Sequence, residues 1–205
     1  VLFPFPKDET FAAARGNMVI IDDVIYAVCY NRWAVTWLEK SEDFGRSWEV
    51  VSWLDERLWT NQIECGRINE ASLGYYDGKM YVVGRQQSEN GDNRLEIGVS
   101  EDLGVTWTWS FLPIEGHAPS LTPYKDAFIL TYRNVKDSNR GKYSFDTVLL
   151  KDGKLASNPA SLFESDNCDV GYGDVLTLPN SFLVCCYQPG SIRCYELKYA
   201  VFNYR

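Results

Sequence analysis

The segment Ser41-Glu42-Asp43-Phe44-Gly45-Arg46-Ser47-Trp48 decides the fold, because the chain carries a second copy of it. The copy is Ser100-Glu101-Asp102-Leu103-Gly104-Val105-Thr106-Trp107, and the two aspartates are 59 residues apart. Both segments have the form S-x-D-x-G-x-[S/T]-W. One such octapeptide is already improbable by chance at ordinary residue frequencies, so two copies indicate an internal structural repeat.

The residue types of the repeat are those of a tight hairpin. The aspartate can accept backbone N–H bonds across the turn, and the glycine can adopt a positive φ. The hydroxyl residue adds a further contact, and the tryptophan begins the next strand with its ring beneath the turn. We therefore interpret Asp43 and Asp102 as scaffold residues and assign them no catalytic role.

Short alternating apolar runs precede and follow both repeats, and Asp-Asp, Asp-Gly, Asn-Gly and Pro-Asn turns separate them. No long segment has the 3.6-residue apolar period of a helix. The sequence therefore predicts a nearly all-β chain. The predicted strands cover residues 18–21, 24–30, 34–40, 71–76, 80–84, 95–100, 128–133, 145–150, 175–178, 182–187 and 192–199.

These strands group into four units of roughly 50 residues, at about 10–55, 66–113, 118–164 and 168–205. Each unit has the strands of a four-stranded antiparallel sheet, or most of one. Radial repetition of such sheets predicts a β-propeller, formed as one domain over residues 1–205. The repeat in the third unit is reduced to Lys151-Asp152-Gly153-Lys154.

Composition narrows the functional classes. Aromatic residues make up 15% of the 205 residues, which is typical of a globular chain, and the net charge is −8. This charge argues against nucleic-acid binding, and no apolar run is long enough for a membrane span. No signal peptide is visible after Val1, and the compartment stays unassigned. With a single histidine, His117, and no Cys-x-x-Cys pair, we expect neither a zinc site nor another cofactor.

The cysteines lie mostly in apolar runs that resemble strands, and we interpret them as buried free thiols, although disulfides remain open. They are Cys29, Cys65, Cys168, Cys185, Cys186 and Cys194.

The repeats resemble the Asp-boxes of the sialidase superfamily, and the resemblance extends over roughly residues 10–200. Gly16-Asn17-Met18-Val19-Ile20-Ile21-Asp22 resembles a blade that opens G-N-P-x-x-V-x-D. Asn69-Glu70-Ala71-Ser72, followed by Asp77-Gly78 and Arg85, resembles N-E-x-S-x-x-x-L-x-D-G-x-L-x-x-x-x-R. The stretch from Tyr172 to Gln188 is similar to a late-blade pattern that begins Y-S-x-L and ends Y-E.

The resemblance implies a glycoside hydrolase that acts on terminal acidic sugars. In that family a tyrosine attacks the anomeric carbon and a glutamate activates it. By position, Tyr172 is the expected nucleophile and Glu70 the base. Arg85, and more weakly Arg133, are the expected arginines that bind the substrate carboxylate.

Each of these residues also has a structural interpretation, which the sequence leaves open. Glu70 can form a hydrogen bond with a neighbouring turn, and Tyr172 can be a buried packing residue. Arg85 can pair with Glu89 or Asp92, and Arg133 can pair with Asp137 or Glu164. His117 can make a hydrogen bond within its loop.

The sequence also departs from the family pattern. The family has six blades, an R-I-P arginine and an acid/base aspartate, whereas this chain has four units and no R-I-P. Arg15 begins a strand, but its neighbours match the later G-N blade better. Gln188 stands where the family has the glutamate of Y-E. A non-catalytic propeller that binds glycan or protein is therefore the second functional hypothesis.

Four units do not obviously close a ring that six normally form. We expect either association with a second copy or closure by pairing of residues 1–5 with the last unit, because exposed sheet edges are prone to pair.

Overall fold

Antiparallel strands make up nearly all of the described chain. The computed structural model describes residues 12–31, 35–54, 67–87 and 93–202. These residues form three sheets and no α-helix, only short 3-10 turns at Ser138–Arg140 and Tyr199–Val201. The all-β prediction is confirmed. The described part contains no helix with the length and apolar character needed to cross a membrane.

The first sheet contains the first predicted unit. Its strands are β1 (Ala12–Ala14), β2 (Val19–Ile21), β3 (Val24–Asn31), β4 (Thr36–Ser41) and β5 (Glu49–Trp53). β1 and β2 both pair with β3, which is followed by β4 and then β5. β1 was not predicted, because its three alanines carry no alternating pattern.

The second sheet spans the second and third predicted units. Its strands are β6 (Arg67–Tyr76), β7 (Lys79–Gln87), β8 (Arg94–Ser100), β9 (Thr108–Tyr124), β10 (Ala127–Asn134), β11 (Tyr143–Lys151), β12 (Lys154–Leu155) and β13 (Ala160–Ser165). β6 to β12 pair in sequence order, and β13 also pairs with β11. The sequence did not predict the short strands β12 and β13.

Strand β9 links these two units without a break. Its first part pairs with β8, with Thr108 opposite Val99, and its second part pairs with β10, with Leu121 opposite Leu130. The last strand of one unit is therefore also the first strand of the next. The third sheet is the last unit, with β14 (Gly171–Thr177), β15 (Ser181–Gln188) and β16 (Ser191–Lys198).

An apolar layer fills each space between neighbouring units. On β7, Met80 and Val82 pack toward the first unit, whereas Tyr81 and Val83 pack toward the third. Successive side chains of a strand point to opposite faces, so a strand that is buried on both faces contributes to two cores. A third layer joins Phe145 of β11 to Phe182 of β15. This stacking of units face to face is the layering of a β-propeller.

The two repeats form hairpins with the same hydrogen bonds. Asp43 Oδ1 accepts from the Ser47 amide at 2.8 Å, and its Oδ2 accepts from the Ser47 hydroxyl at 2.7 Å. Asp102 accepts the equivalent bonds from the Thr106 amide and hydroxyl at 2.9 and 2.6 Å. These bonds lower the pKa of each carboxyl to about 2, and both aspartates lie in turns, as predicted for scaffold residues.

Other predictions have different outcomes. Cys185 and Cys194 lie directly opposite each other on β15 and β16 and form a disulfide, whereas we had interpreted the cysteines as free thiols. Cys29 and Cys186 are buried free thiols, as predicted, and Cys168 is free but exposed. Cys65 and residues 1–5, which we expected to close the ring, lie outside the described residues.

Candidate active site

The first strands of the units bend at equivalent places. Glu70, Ala118 and Tyr172 have φ angles of 48°, 53° and 48°, which residues with a β-carbon seldom adopt. The pairing register shifts around each of these residues. For Glu70 the shift lies in β6 between Asn69 and Ser72, and for Tyr172 it lies in β14 between Gly171 and Asp174. For Ala118 in β9 the shift lies in the facing strand, β10. Bulges of this kind redirect side chains, so Glu70 and Tyr172 leave the ordinary alternation of their strands.

Glu70 and Tyr172 meet although they are 102 residues apart. The Tyr172 hydroxyl donates a hydrogen bond to Glu70 Oε1. Glu70 is 7% exposed, whereas Tyr172 is 45% exposed and so is not a buried packing residue. The pair therefore consists of a buried carboxylate and a phenol that a ligand can reach.

The charges around the pair separate the two pKa values. Burial raises the pKa of Glu70, but the hydrogen bond from Tyr172 and the guanidinium groups of Arg85, Arg15 and Arg133 bring it below its ordinary value. Burial, together with the hydrogen bond to Glu70 and its charge, raises the pKa of Tyr172 to about 12. The resting proton therefore belongs to Tyr172, and Glu70 is the ionised acceptor beside it.

Arg85 lies on β7 directly opposite Asn69, next to Glu70. Its Nη1 is 3.4 Å from Glu70 Oε2, and among the described residues its buried Nε has no hydrogen-bond partner. Glu89 and Asp92, the alternative partners suggested by the sequence, lie outside the described residues. Arg85 is thus only loosely bound to the carboxylate that we expected to act as the base.

Arg133 is held mainly by neutral acceptors. Its Nη1 donates to the carbonyl oxygens of Cys168 and Val170 at 2.6 and 3.2 Å, and its Nη2 donates to His117 Nδ1 at 3.3 Å. Neither Asp137 nor Glu164 pairs with it in the described part of the chain, where Asp137 pairs with Arg140. Arg133 is 8% exposed; it holds the loop through the two carbonyl oxygens, and its positive charge acts on Glu70.

His117 connects this arginine to the next loop. Burial and the charges of Arg85 and Arg133 lower its pKa to about 3, so the imidazole is neutral. Because Nδ1 accepts from Arg133, the proton is on Nε2, which faces Asn93 Oδ1 at 3.3 Å. The predicted loop hydrogen bond is therefore present, but it lies within the candidate site.

Arg15 is the site residue that the sequence analysis did not assign. Its Nη1 donates to the Pro119 carbonyl at 2.5 Å, and its guanidinium lies 4.7 Å from the centre of the Tyr172 ring. The sequence identified the neighbouring Gly16-Asn17 pair as part of a blade motif and gave Arg15 no role. Only the assembled units bring Arg15 close to Tyr172. The guanidinium of Arg133 is 5.8 Å from the same ring.

A cavity of about 390 Å³ lies next to Arg85, which contacts Glu70, but neither Glu70 nor Tyr172 lines it. Arg85, His117, Arg133 and Asp169 are among the residues that line it. Cationic and polar groups thus face a space large enough for one sugar unit. In the described residues, no group of three or more His, Cys, Asp or Glu side chains is arranged to hold a metal ion.

Comparison with solved structures places the fold among propeller glycoside hydrolases. The Bacteroides ovatus protein GH43B of a xyloglucan utilisation locus superposes with a TM-score of 0.68 at 13% identity, over 94% of this chain and 40% of that one. The α-L-arabinofuranosidase Arb93A of Fusarium graminearum gives a TM-score of 0.66 at 19% identity, over 94% of this chain and 64% of its own.

A protein of unknown function from Dyadobacter fermentans gives a TM-score of 0.73 at 20% identity, over 91% of this chain and 54% of its own. At these identities the likeness establishes the fold: a β-propeller of the type found in glycoside hydrolases. The chain spans between 40% and 64% of the length of these three proteins. No protein-family model matches the chain, and no curated protein does.

Proposed function

We propose that the chain carries the active site of a sialidase-like glycoside hydrolase that acts on a terminal acidic sugar, with Tyr172 as nucleophile and Glu70 as its base. The observation that carries this proposal is the hydrogen bond from the Tyr172 hydroxyl to Glu70. A phenol is a poor nucleophile until a base removes its proton, and an ionised carboxylate in direct contact is such a base.

An acidic sugar explains why a neutral nucleophile is useful. The substrate carries a carboxylate beside the reacting carbon, which would repel an anionic nucleophile such as a carboxylate. Tyr172 keeps its proton until the new bond forms, and Glu70 then receives it. The raised pKa of Tyr172, about 12, and the lowered pKa of Glu70 agree with this order of events.

The arginines supply the recognition of the anionic group. Arg15, Arg85 and Arg133 all act electrostatically on Glu70, which places three positive charges around one carboxylate. They create a local positive potential in a chain whose net charge is −8. We expect Arg15 and Arg85 to bind the substrate carboxylate and Arg133, which holds backbone carbonyls, to contribute mainly its charge.

The test is hydrolysis of a fluorogenic umbelliferyl sialoside by the parent chain, Tyr172→Phe and Glu70→Ala. We expect both variants to lose at least about 100-fold in kcat. Tyr195→Phe is the matched control, because it removes a phenol from the same sheet away from the cavity. Activity that survives in Tyr172→Phe would eliminate tyrosine as the nucleophile.

One observation favours the second candidate function, a glycan-binding module without catalysis. Arg85 already contacts Glu70, so an arginine expected to hold substrate partly neutralises the expected base. A parent chain that binds sialyllactose, measured by calorimetry, but hydrolyses neither this sugar nor the fluorogenic sialoside would establish the binding module instead.

A further inference from the structure

A groove of about 740 Å³ separates part of the second unit from the third, away from the candidate active site. Residues of β8 and β9 form one wall, and residues 152–159 form the other. We infer that this groove binds a neutral sugar unit of a glycan, as a site additional to the one that the proposed function uses. The inference does not depend on that function, because no residue that lines the groove lines the cavity next to Arg85.

The equivalent space one unit earlier is filled by side chains of the chain itself. Trp107 and Trp109 lie at the end of the second repeat, and their rings stack with centroids 5.8 Å apart. Both rings pack against the apolar layer between the first and second units. Trp107 Nε1 also donates to Ser52 Oγ of the first unit at 3.1 Å. Two flat rings therefore close the gap between these units.

The third unit lacks such rings. Its repeat is reduced to Lys151-Asp152-Gly153-Lys154, and no aromatic residue follows before Phe163. The shortened hairpin still reaches the second unit, since a β-carbon on Gly153 would lie 3.4 Å from Val99 Cγ2. The small side chains that follow the hairpin, such as Ala156, leave the groove open. The space that indole rings fill between the first two units is thus available to a flat ligand between the next two.

Phe111 supplies an apolar surface for such a ligand. It lines the groove and is 40% exposed, on β9 directly opposite Glu96. The Arg94 guanidinium lies 4.3 Å from the centre of the Phe111 ring, so one side of the ring is held in place. A pyranose ring has one face formed by C–H groups, which pack on an aromatic ring as other apolar surfaces do.

Hydroxyl and amide side chains lie around this aromatic surface. Thr108 and Ser110 are exposed on β9, and Asn158 is exposed on the opposite wall. These side chains can both donate and accept hydrogen bonds, as the hydroxyl groups of a sugar can. A few polar groups in a mainly apolar pocket of this volume are typical of a small-molecule binding site.

The charges along the groove favour a neutral sugar over an acidic one. Of the described residues that line it, only Asp152 and Lys154 are charged, and their charges cancel. At the candidate active site, by contrast, three arginines act electrostatically on Glu70. An anionic sugar therefore gains no electrostatic attraction in the groove, whereas a neutral sugar loses none.

The groove and the candidate active site lie toward different ends of the second unit. Val99 in the groove pairs with Tyr81, and Arg85 is four residues further along β7. At the rise of a β-strand, four residues correspond to about 13 Å. A sugar in the groove therefore does not occupy the candidate active site, and substitutions can affect the two sites separately.

The experiment measures how far the protein is retarded in native gels that contain soluble starch, galactomannan or hydroxyethylcellulose. These neutral polysaccharides present different sugar units, and we expect at least one to retard the parent chain. Phe111→Ala should weaken this binding by about 10-fold or more, because it removes the aromatic surface. Phe44→Ala is the matched control, because Phe44 is 75% exposed and lies in the first repeat, outside the groove.

Thermal midpoints show whether the variants fold. If Phe111→Ala does not fold, Asn158→Ala replaces it, since this change removes only an exposed amide from the opposite wall. We expect this variant also to be retarded less than the parent.

Several outcomes would overturn the inference. One is a parent that none of the polysaccharides retards, and another is equal retardation of the parent and the groove variant. Retardation that Tyr172→Phe abolishes would move the neutral sugar to the candidate active site. Self-association in the ultracentrifuge that Phe111→Ala abolishes, without retardation of the parent, would assign the groove to a second copy of the chain. The proposed function is decided by sialoside hydrolysis, so the two can fail separately.

Discussion

His117 should make the stability of the fold depend on pH in a way that can be measured. The folded protein lowers its pKa from 6.5 to about 3, because the imidazole is desolvated and lies beside Arg85 and Arg133. The unfolded chain therefore binds this proton first as the pH falls. Stability is lost below about pH 6.5, and this loss stops increasing near pH 3.

The size of the effect follows from the pKa difference. A pH of 5.0 is about 1.5 units below the pKa of the imidazole in the unfolded chain. Each pH unit corresponds to about 1.4 kcal/mol of unfolding free energy. The upper limit is thus about 2 kcal/mol of unfolding free energy. Because His117 is only half-buried and water relaxes the penalty, we expect about 1 to 2 kcal/mol.

The measurement is urea unfolding of the parent and of His117→Gln at pH 7.5 and pH 5.0. Glutamine retains a hydrogen-bond acceptor for Arg133 but cannot become charged. His117 is the only histidine of the sequence, and carboxyl groups titrate in both proteins, so the change in their stability difference isolates it. We expect this difference to shift in favour of His117→Gln at pH 5.0. The same difference at both pH values would refute the reasoning.

Two further changes test the scaffold. Asp102→Ala should lower the thermal midpoint, because Asp102 accepts two hydrogen bonds from Thr106. The control Glu101→Ala removes only an exposed ion pair and should change the midpoint less. Equal midpoints for the two variants would contradict the scaffold role of Asp102. Gly173→Ala places a methyl group 2.3 Å from Phe145 Cζ, so urea unfolding should show a loss of about 1 to 3 kcal/mol, and an unchanged midpoint would mean that the ring moves aside.

The sequence alone predicted the local elements well, because hairpins depend on residues that are close in the chain. Asp43 and Ser47 are four residues apart, and the side chain of one reaches the amide of the other whatever the rest of the molecule does. The alternating apolar runs likewise predicted most strands. They did not predict β1 or β13, whose residues lack a clear period, and they could not pair Cys185 with Cys194, since that pairing depends on register.

The candidate site depends on distances that only the tertiary structure contains. The resemblance named Glu70, Tyr172, Arg85 and Arg133, but it did not tell how Arg133 would be bound. Arg15 was considered and not assigned because its neighbours match the later G-N blade, and only the assembled units bring its guanidinium to 4.7 Å from the centre of the Tyr172 ring.

The sequence thus determined that the chain repeats an antiparallel unit, and it named the residue types that chemistry would need. The tertiary structure decided which of them meet. Glu70 and Tyr172 leave the alternation of their strands at positive φ angles, and Ala71, next to Glu70, is buried in the apolar layer between the first two units. A backbone conformation that is locally unfavourable is stabilised by packing elsewhere in the molecule. A local sequence pattern therefore does not predict such a conformation.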